Sequence, residues 1–409
     1  MAQTNTSNIQ AKVNGAALFA QVQKASGTMR GLVGAKPTEM DVEGKLGKQQ
    51  SSPGMPIVEI NDLTKTSGGS VSIDCIDIST QKPIMGDKQA EGKGVPLSFT
   101  NMDVSLNQWT FPVSAGGRMA QQRVIHDLRK MARATAVGLA SRYYEQRTLV
   151  HLAGARGSVN TQDWIVPLAS DADFNEIMTN PVRAPTFNRH YVVSGNNIVQ
   201  GGQQLGAIAS TDTLKLTHLD QIRNVIDNLD LSIQTVKIAD DPAAGDDPMW
   251  VMLVPSNVYS SLLQEGSLRA FQQNAVNRAA YGSKHPLFRG EVGMWNGILV
   301  KKIQRTIRFA ASESVQIVTS ANASTATETA QVVNAGIGAG FAVERCVLVG
   351  AQALANAYGK DSKSGTHYSW AEKYQNFDRE PEFAVFGIEG SAKVRFSVPD
   401  GSGGRAVTD

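Results

Sequence analysis

The sequence has little of what metal and cofactor sites require. Its 409 residues include two cysteines, Cys75 and Cys346, and six scattered histidines, so the close Cys and His spacing of a zinc site is absent. Both cysteines lie in apolar, strand-like stretches, where we expect buried free thiols. The sequence therefore predicts no cofactor and no metal.

Long apolar runs and a strong net charge are also lacking. No stretch approaches the 18 or more apolar residues of a membrane span, and the first residues do not resemble a signal peptide. A net charge of +2 is too small for a dedicated nucleic-acid binder, although it leaves room for one basic face. The apolar content of 41% is ordinary for a globular protein of two or more lobes.

Sequence motifs of catalysis are missing. There is no GxSxG, HExxH or P-loop pattern, and the glycines at 336–340 lack the GxGxxG spacing and precede a strand. The acidic stretch 239–248 lacks the spacing of a calcium loop and is predicted to be a solvated turn. A soluble α/β enzyme is therefore only a distant alternative.

What the sequence does contain is one long amphipathic segment, residues 117–155. Its apolar residues recur every three or four positions through Val124, Leu128, Met131 and Leu139, which predicts a single α-helix. Gly116 and Gly117 precede the helix, and Gly154 is predicted to end it. A helix of this length would support the parts of the chain around it.

The segment is basic, with a local net charge of +5. One interpretation is a solvated face with intersubunit salt bridges; the other is a face that meets acidic neighbours or nucleic-acid phosphate. The residues predicted to form this face are Arg118, Arg123, Arg129, Lys130 and Arg133.

Upstream of the helix the pattern predicts an arm and a hairpin. Residues 1–55 are poor in large apolar side chains and predict an extended arm that lies on another surface. Residues 56–114 alternate apolar and polar side chains, which predicts a long two-stranded hairpin with a polar tip at 82–94. Because an isolated hairpin is marginally stable, we expect it to contact a neighbouring subunit. The predicted contact residues are Lys82, Asp87, Lys88, Glu91 and Lys93.

Downstream of the helix, residues 156–217 predict loops and short strands, and an α/β section follows. We predict strands at 249–255, 297–303 and 341–350, and further strands up to 398. Helices are predicted from a Thr217 cap, from Ser256, over 269–281 and over 351–360, whereas 310–335 predicts a flexible insertion or a small hairpin.

Several short motifs resemble a family of tailed-phage major capsid proteins, typified by the coat protein of the podophage N-four. The resemblance runs in order through most of residues 80–398. The motifs are G-D-x-x-x-E-G at 86–92, G-x-M-x-Q-x-R at 117–123, L-x-G-A-R-G at 152–157, P-x-x-N-R at 185–189, VLVGAQALANAYGK at 347–360 and G-x-x-K-x-R-F at 390–396.

The resemblance implies an α+β protein with the Hong Kong 97-type phage capsid fold. Expected regions are an N-terminal arm (1–55), an extended-loop hairpin (56–114), a peripheral domain with a spine helix (115–214), an axial domain (215–345), and returning peripheral strands with a C-terminal tail (346–409). The implied function is self-assembly into hexamers and pentamers of an icosahedral shell around double-stranded DNA, in the host cytoplasm and then in the virion. Scaffold, portal and decoration proteins are further implied partners, with no membrane. An encapsulin-like cellular compartment is the alternative.

Overall fold

The computed structural model describes most of the chain. The described residues are 18, 21–22, 27–34, 50–61, 68–76, 82–94, 99–125, 127–229, 232–237, 249–264, 291–320, 327–338, 340–360, 366–399 and 405–409. The predicted helix 269–281 and the acidic stretch 239–248 lie outside these residues.

The described helices and strands form an α+β arrangement, in which runs of consecutive strands are separated by helices. The helices are α1 Gly27–Arg30, α2 Arg118–Arg123, α3 Leu128–Ala153, α4 Phe174–Met178, α5 Leu216–Asn228 and α6 Ser256–Gln264. The strands are β1 Ile57–Ile60, β2 Ser70–Ile76, β3 Phe99–Ser105, β4 Asn107–Ser114, β5 Tyr191–Ser194, β6 Asn197–Gln200, β7 Trp250–Pro255, β8 Glu291–Trp295, β9 Ile298–Ile303, β10 Ile307–Ala310, β11 Ser314–Val318, β12 Glu328–Val332, β13 Ala342–Arg345, β14 Val347–Val349, β15 Leu354–Tyr358, β16 Tyr368–Gln375, β17 Glu380–Lys393, β18 Phe396–Pro399 and β19 Arg405–Thr408.

The long helical segment is interrupted, so the prediction of a single helix over 117–155 is wrong at its N-terminal end. Helix α2 stops at Val124, whose backbone is extended. Helix α3, which we call the spine helix, begins after Asp127, whose side chain caps it by accepting a hydrogen bond from the Lys130 N–H. The predicted end is confirmed, because Gly154 has a left-handed φ of 68° and closes the helix.

The first half of the spine helix buries mainly a different face from the one predicted, whereas the predicted Tyr143, Leu149 and Val150 in its second half are buried. Ala132, Ala136 and Ala140 are buried at intervals of four residues, whereas Met131 is 53% exposed. Small alanines let the helix approach the sheet closely, and Leu18 and Val22 of the arm pack into the same cluster. The described part of the arm therefore lies on its own chain. In the second half of the helix almost every side chain is buried.

A five-stranded sheet covers the spine helix. Its long strand, β17, pairs antiparallel with β4, β15 and β16, and β1 pairs parallel with β15. Strands β1 and β4 thus belong to this sheet, and only β2 and β3 form the hairpin predicted over 56–114. Strand β15 replaces the helix predicted over 351–360.

A second sheet, in the order β14-β7-β9-β8, forms the α/β lobe. Strand β7 is buried at every residue and runs parallel to β9, which confirms the strands predicted at 249–255 and 297–303. Helices α5 and α6 pack on it through Leu219 and Leu262. Helix α5 begins after Lys215, not at the predicted Thr217 cap, and the His218 ring accepts a hydrogen bond from the Lys215 N–H.

In two other segments, 341–350 and 310–335, the observed structure is more detailed than the predicted one. The strand predicted over 341–350 is divided into β13 and β14, which pair with β10 and β7 respectively. The 310–335 segment contains the hairpin of β11 and β12, with Val315 and Ile317 buried in the core.

Of the two cysteines predicted to be buried free thiols, Cys346 is free and part-buried. Burial raises the pKa of its thiol to about 12. The side chain of Cys75 lies outside the described part of the structure.

Candidate interaction surfaces

The tip of the β2–β3 hairpin is a solvent-exposed surface. The five predicted contact residues are all exposed, and within 82–94 only Ile84 is half-buried. Gly86 and Gly92 turn the chain with φ values of 69° and 77°. In the described part of the chain no third strand pairs with β2 or β3, so apart from Ser105 their outer edges are not engaged in a further β-ladder and another strand could pair with them.

The base of the hairpin is fixed to the body of the subunit. The Asn180 side chain accepts a hydrogen bond from the Ser105 N–H at 2.9 Å and donates to the Ser105 carbonyl at 3.0 Å. Val71 and Val104 are buried in a cluster with Val58 and Ala357 of the five-stranded sheet, which we call the central sheet. The hairpin therefore combines a base that is bound to the subunit with exposed charges at 82–94.

The predicted basic face is partly neutralised within the chain. Glu372 of β16 accepts hydrogen bonds from both Arg129 and Arg133, the latter at 3.2 Å. The hydrogen bonds from Arg129, helped by Arg133, hold the pKa of Glu372 below its usual range despite partial burial. The Arg133 guanidinium also lies 5.4 Å from the centre of the Trp370 ring. These two arginines attach the spine helix to β16.

The other three predicted residues are more available to a partner. Arg118 donates to the carbonyl of Asp378 at 3.2 Å, and Lys130 lies 3.5 Å from the Asp127 carboxylate. Arg123 is exposed and forms no ion pair with any other described residue. The five predicted residues therefore do not form one free basic face, and Arg123 is the most accessible of them.

Sequence reasoning missed a buried charged pair beneath the central sheet. Arg147 of the spine helix and Glu389 of β17 are both fully buried, with 3.0 Å between Nη2 and Oε1. Trp109 Nε1 donates to Glu389 at 2.9 Å, and the Tyr368 hydroxyl donates to it at 2.7 Å. Although burial opposes the charged form, Glu389 raises the pKa of Arg147. The pair connects the spine helix with β4, β16 and β17.

A second set of buried polar groups extends this network towards β1. The Tyr358 hydroxyl donates to Glu59 at 3.2 Å, and the Asn356 amide donates to the Tyr144 hydroxyl at 3.3 Å. Ser391 donates to Asn356 at 2.7 Å. Since these groups come from distant parts of the sequence, the network fixes how β1, the spine helix, β15 and β17 meet.

Residue Asp409 is held in a buried site of its own. Its carboxylate accepts hydrogen bonds from the Thr186 N–H at 2.9 Å and from Lys393 at 2.7 Å. Burial alone would raise the pKa of Asp409, but Lys393 and Thr186 lower it to about 2. Strand β19 is thereby attached to the body of the subunit.

A cavity of about 1000 Å³ lies beside α5, β13 and β14. Four of its charged residues form ion pairs within the chain: Lys393 with Asp409, and Arg308 with Glu344 at 2.5 Å. Burial lowers the pKa of His190 to about 3, which makes it a poor general base near pH 7. The described lining therefore gives little support to the enzyme alternative.

The described residues form neither a metal-binding cluster nor a membrane-spanning helix. No group of three or more His, Cys, Asp or Glu side chains is arranged to hold a metal ion there. No helix among these residues is long and apolar enough to cross a membrane.

Comparisons with known proteins agree on one class. The model of the family described as phage capsid protein matches residues 3–409. One similar solved structure is the capsid of Ralstonia phage GP4, with 22% identity and a TM-score of 0.66 over 91% of this chain and 94% of that one. Another is the Cyanophage Pam1 capsid, with 15% identity and a TM-score of 0.56 over 87% of this chain and 88% of that one. The head structure of Helicobacter pylori bacteriophage KHP40 is also similar, with 10% identity and a TM-score of 0.54 over 87% of this chain and 86% of that one. A search of curated proteins finds no match.

Proposed function

The chain belongs to the phage capsid protein family, and from this membership we propose that it is the major capsid protein of a tailed phage. In this proposal the subunit has the Hong Kong 97-type fold and assembles with its own copies into hexamers and pentamers of an icosahedral shell. The shell encloses double-stranded DNA. The narrower resemblance to the N-four-like group, and the scaffold, portal and decoration partners, stay predictions.

The β2–β3 hairpin carries the proposal. A two-stranded hairpin with both edges unpaired in the described chain is marginally stable by itself. Its base is held by Asn180 while its charged tip is exposed. Such a hairpin is suited to lie across a neighbouring subunit, where many modest contacts add up over a closed shell.

Deleting Lys82–Gly94 is expected to abolish shells without unfolding the subunit. The deleted residues are exposed and contribute little to the core, whereas their charges would be lost from every intersubunit contact. Electron microscopy and sedimentation of the purified protein measure shell formation, and circular dichroism measures folding. The control is Gln89→Ser, a change at the same tip that keeps its length and charge. Normal particles from the deletion variant would refute the proposed role of the hairpin.

Reversing the charge at Arg123 is expected to reduce DNA packaging while empty shells still form. Arg123 is exposed, so its proposed contact is with phosphate on the inner surface of the shell. The measurement is the nucleic-acid content of purified particles from a phage that carries Arg123→Glu. Arg133→Glu is the comparison, because it breaks an ion pair with Glu372 within the subunit and is expected to impair the subunit itself. Loss of shells in Arg123→Glu would assign the residue to subunit contacts, and normal DNA content would exclude both roles.

The nature of the cargo separates the phage assignment from a cellular compartment. Shells that contain a packaged enzyme in place of DNA would support the encapsulin-like alternative. A small, discrete oligomer in size-exclusion chromatography would contradict both.

A further inference from the structure

The hairpin of β2 and β3 is held at two points along β3. The first point is Ser105, whose backbone N–H and carbonyl both bond to the Asn180 side chain. Gly390 permits this approach, because a Cβ atom at that position would overlap with the Ser105 carbonyl oxygen. The second point is Thr100, whose hydroxyl donates to the carbonyl of Ser397 in β18 at 3.0 Å. Different parts of the chain therefore hold the two ends of β3.

The separation of the two points determines what they can do. Thr100 and Ser105 are five positions apart, which corresponds to about 17 Å along an extended strand. A single contact would let the hairpin turn about it, whereas two contacts this far apart also fix the direction of the hairpin. Between the two points, Met102 packs on the same apolar cluster as Val394, three residues before Ser397. The contact with β18 is thus the one that gives the hairpin a direction.

Strand β18 depends on other contacts for its own position. Among the described strands it pairs only with β19, and a two-stranded sheet is marginally stable in water. Both ends of the β18–β19 pair are attached to the segment 184–189. Before β18, Arg395 donates to the Ala184 carbonyl. After β19, the Asp409 carboxylate accepts a hydrogen bond from the Thr186 N–H at 2.9 Å.

Asp409 is the central group of this attachment. Its side chain is 8% exposed and lies 2.7 Å from the Lys393 Nζ. Arg189 donates to the main-chain oxygen of Asp409 at 3.1 Å. Two motifs that the sequence contains, P-x-x-N-R at 185–189 and G-x-x-K-x-R-F at 390–396, therefore meet at this residue. The second motif also supplies Gly390, so it takes part in both points that hold β3.

We propose that Asp409 is a positioning residue for the β2–β3 hairpin. By holding β19, and through it β18, it maintains the second contact at Thr100 and so sets the direction in which the hairpin leaves the subunit. This role rests on the proposed function, because the direction matters when the hairpin tip reaches a neighbouring subunit. Without Asp409 the polar attachment at Ser105 remains, and the hairpin is expected to move about it.

Hydrogen–deuterium exchange of the isolated subunit tests this role without assembly. In Asp409→Ala the backbone amides of β2 and β3 are expected to exchange about tenfold faster or more, because a hairpin with one support opens more often. Amides of β7 and β9 are expected to keep the wild-type rate, whereas a general loss of stability would raise their rate as well. Asp212→Ala is the control, since it removes a carboxylate that also accepts from backbone N–H groups, those of Gly195 and Ala209. Unchanged exchange of β2 and β3 in Asp409→Ala would overturn the proposal.

Thr100→Val breaks the second contact directly. It removes the hydroxyl that donates to Ser397 and leaves the attachment of Asp409 intact. Exchange of β2 and β3 is expected to rise as in Asp409→Ala, while β18 and β19 keep the wild-type rate. If Asp409→Ala does not fold, Asp409→Asn replaces it, because it loses the ion pair but keeps an acceptor for the Thr186 N–H.

The double variant tests whether the two residues act through one contact. With Thr100→Val already present, loss of Asp409 is expected to add no further increase in the exchange of β2 and β3. If the two increases multiply, Asp409 does not act through Thr100, and the proposal fails.

Particle assembly distinguishes this inference from the proposed function. If wild-type protein forms shells, Asp409→Ala and Thr100→Val are expected to form fewer closed shells, or shells of more variable diameter, in electron microscopy. Wild-type yield and diameter from variants whose hairpin exchanges faster would overturn the positioning role alone. If wild-type protein forms no shells, the proposed function fails, and the exchange of β2 and β3 still decides whether Asp409 holds the hairpin.

Discussion

Replacing Glu389 by alanine is expected to lower the free energy of unfolding by about 3–5 kcal/mol, because it leaves the Arg147 guanidinium buried without its partner. Both side chains are fully buried, so water cannot compensate for the lost charge. Trp109 and Tyr368 would lose their acceptor at the same time. The measurement is denaturant unfolding of the isolated subunit at constant pH.

A double variant tests whether the pair, and not the cavity left by Glu389, causes the loss. Arg147→Met with Glu389→Gln removes both charges, and such replacements are often close to neutral, so we expect most of the stability to return. Glu380→Ala, an exposed change on the same strand, serves as the control and is expected to change stability by less than about 0.5 kcal/mol. If the loss in the free energy of unfolding of the double variant equals the sum of the losses from the two single replacements, the two charges are not coupled.

The parts of the fold that could be predicted are those whose signal is local. Strand β7 is recognisable because every residue in WVMLVP is apolar, which suits a strand buried on both faces. The end of the spine helix is recognisable because Gly154 adopts a left-handed φ that other residues disfavour. The exposure of the hairpin tip follows from its glycines and charges.

The errors come from contacts between distant residues. Residues 354–358 read LANAY, a composition that favours a helix, yet they form β15 because β1 and β17 pair with both of its edges. The buried face of the spine helix consists of alanines, whose small side chains give a weak periodic signal. The break after α2 follows from the Asp127 cap, which competes locally with a continuous helix.

The same limit applies to the interaction surfaces. Each basic residue of the predicted face is evident in the sequence, but Glu372, which neutralises two of them, lies 243 positions from Arg129.

A buried histidine in the spine helix makes the stability of the folded subunit sensitive to acid. His151 is fully buried, and neither ring nitrogen has a hydrogen bond of normal geometry among the described residues. Burial, together with the positive charges of Arg147 and Lys393, lowers its pKa from 6.5 to about 3. The native state therefore keeps His151 neutral, whereas the unfolded state binds a proton below pH 6.5.

It follows that this histidine favours the folded state above pH 6.5 and that its contribution is lost as the pH falls towards 3. The loss is about 1.4 kcal/mol for each pH unit in that range. A His151→Leu variant removes the titration, so its stability relative to wild type is expected to rise by about 2.5 kcal/mol between pH 7 and pH 4.5. Thr148→Val, a change at another fully buried position of the same helix, carries no titrating group and is expected to show a difference from wild type that does not vary with pH. Denaturant unfolding at both pH values measures these differences, and a pH-independent difference for His151→Leu would mean that the imidazole is hydrated or paired in the native subunit.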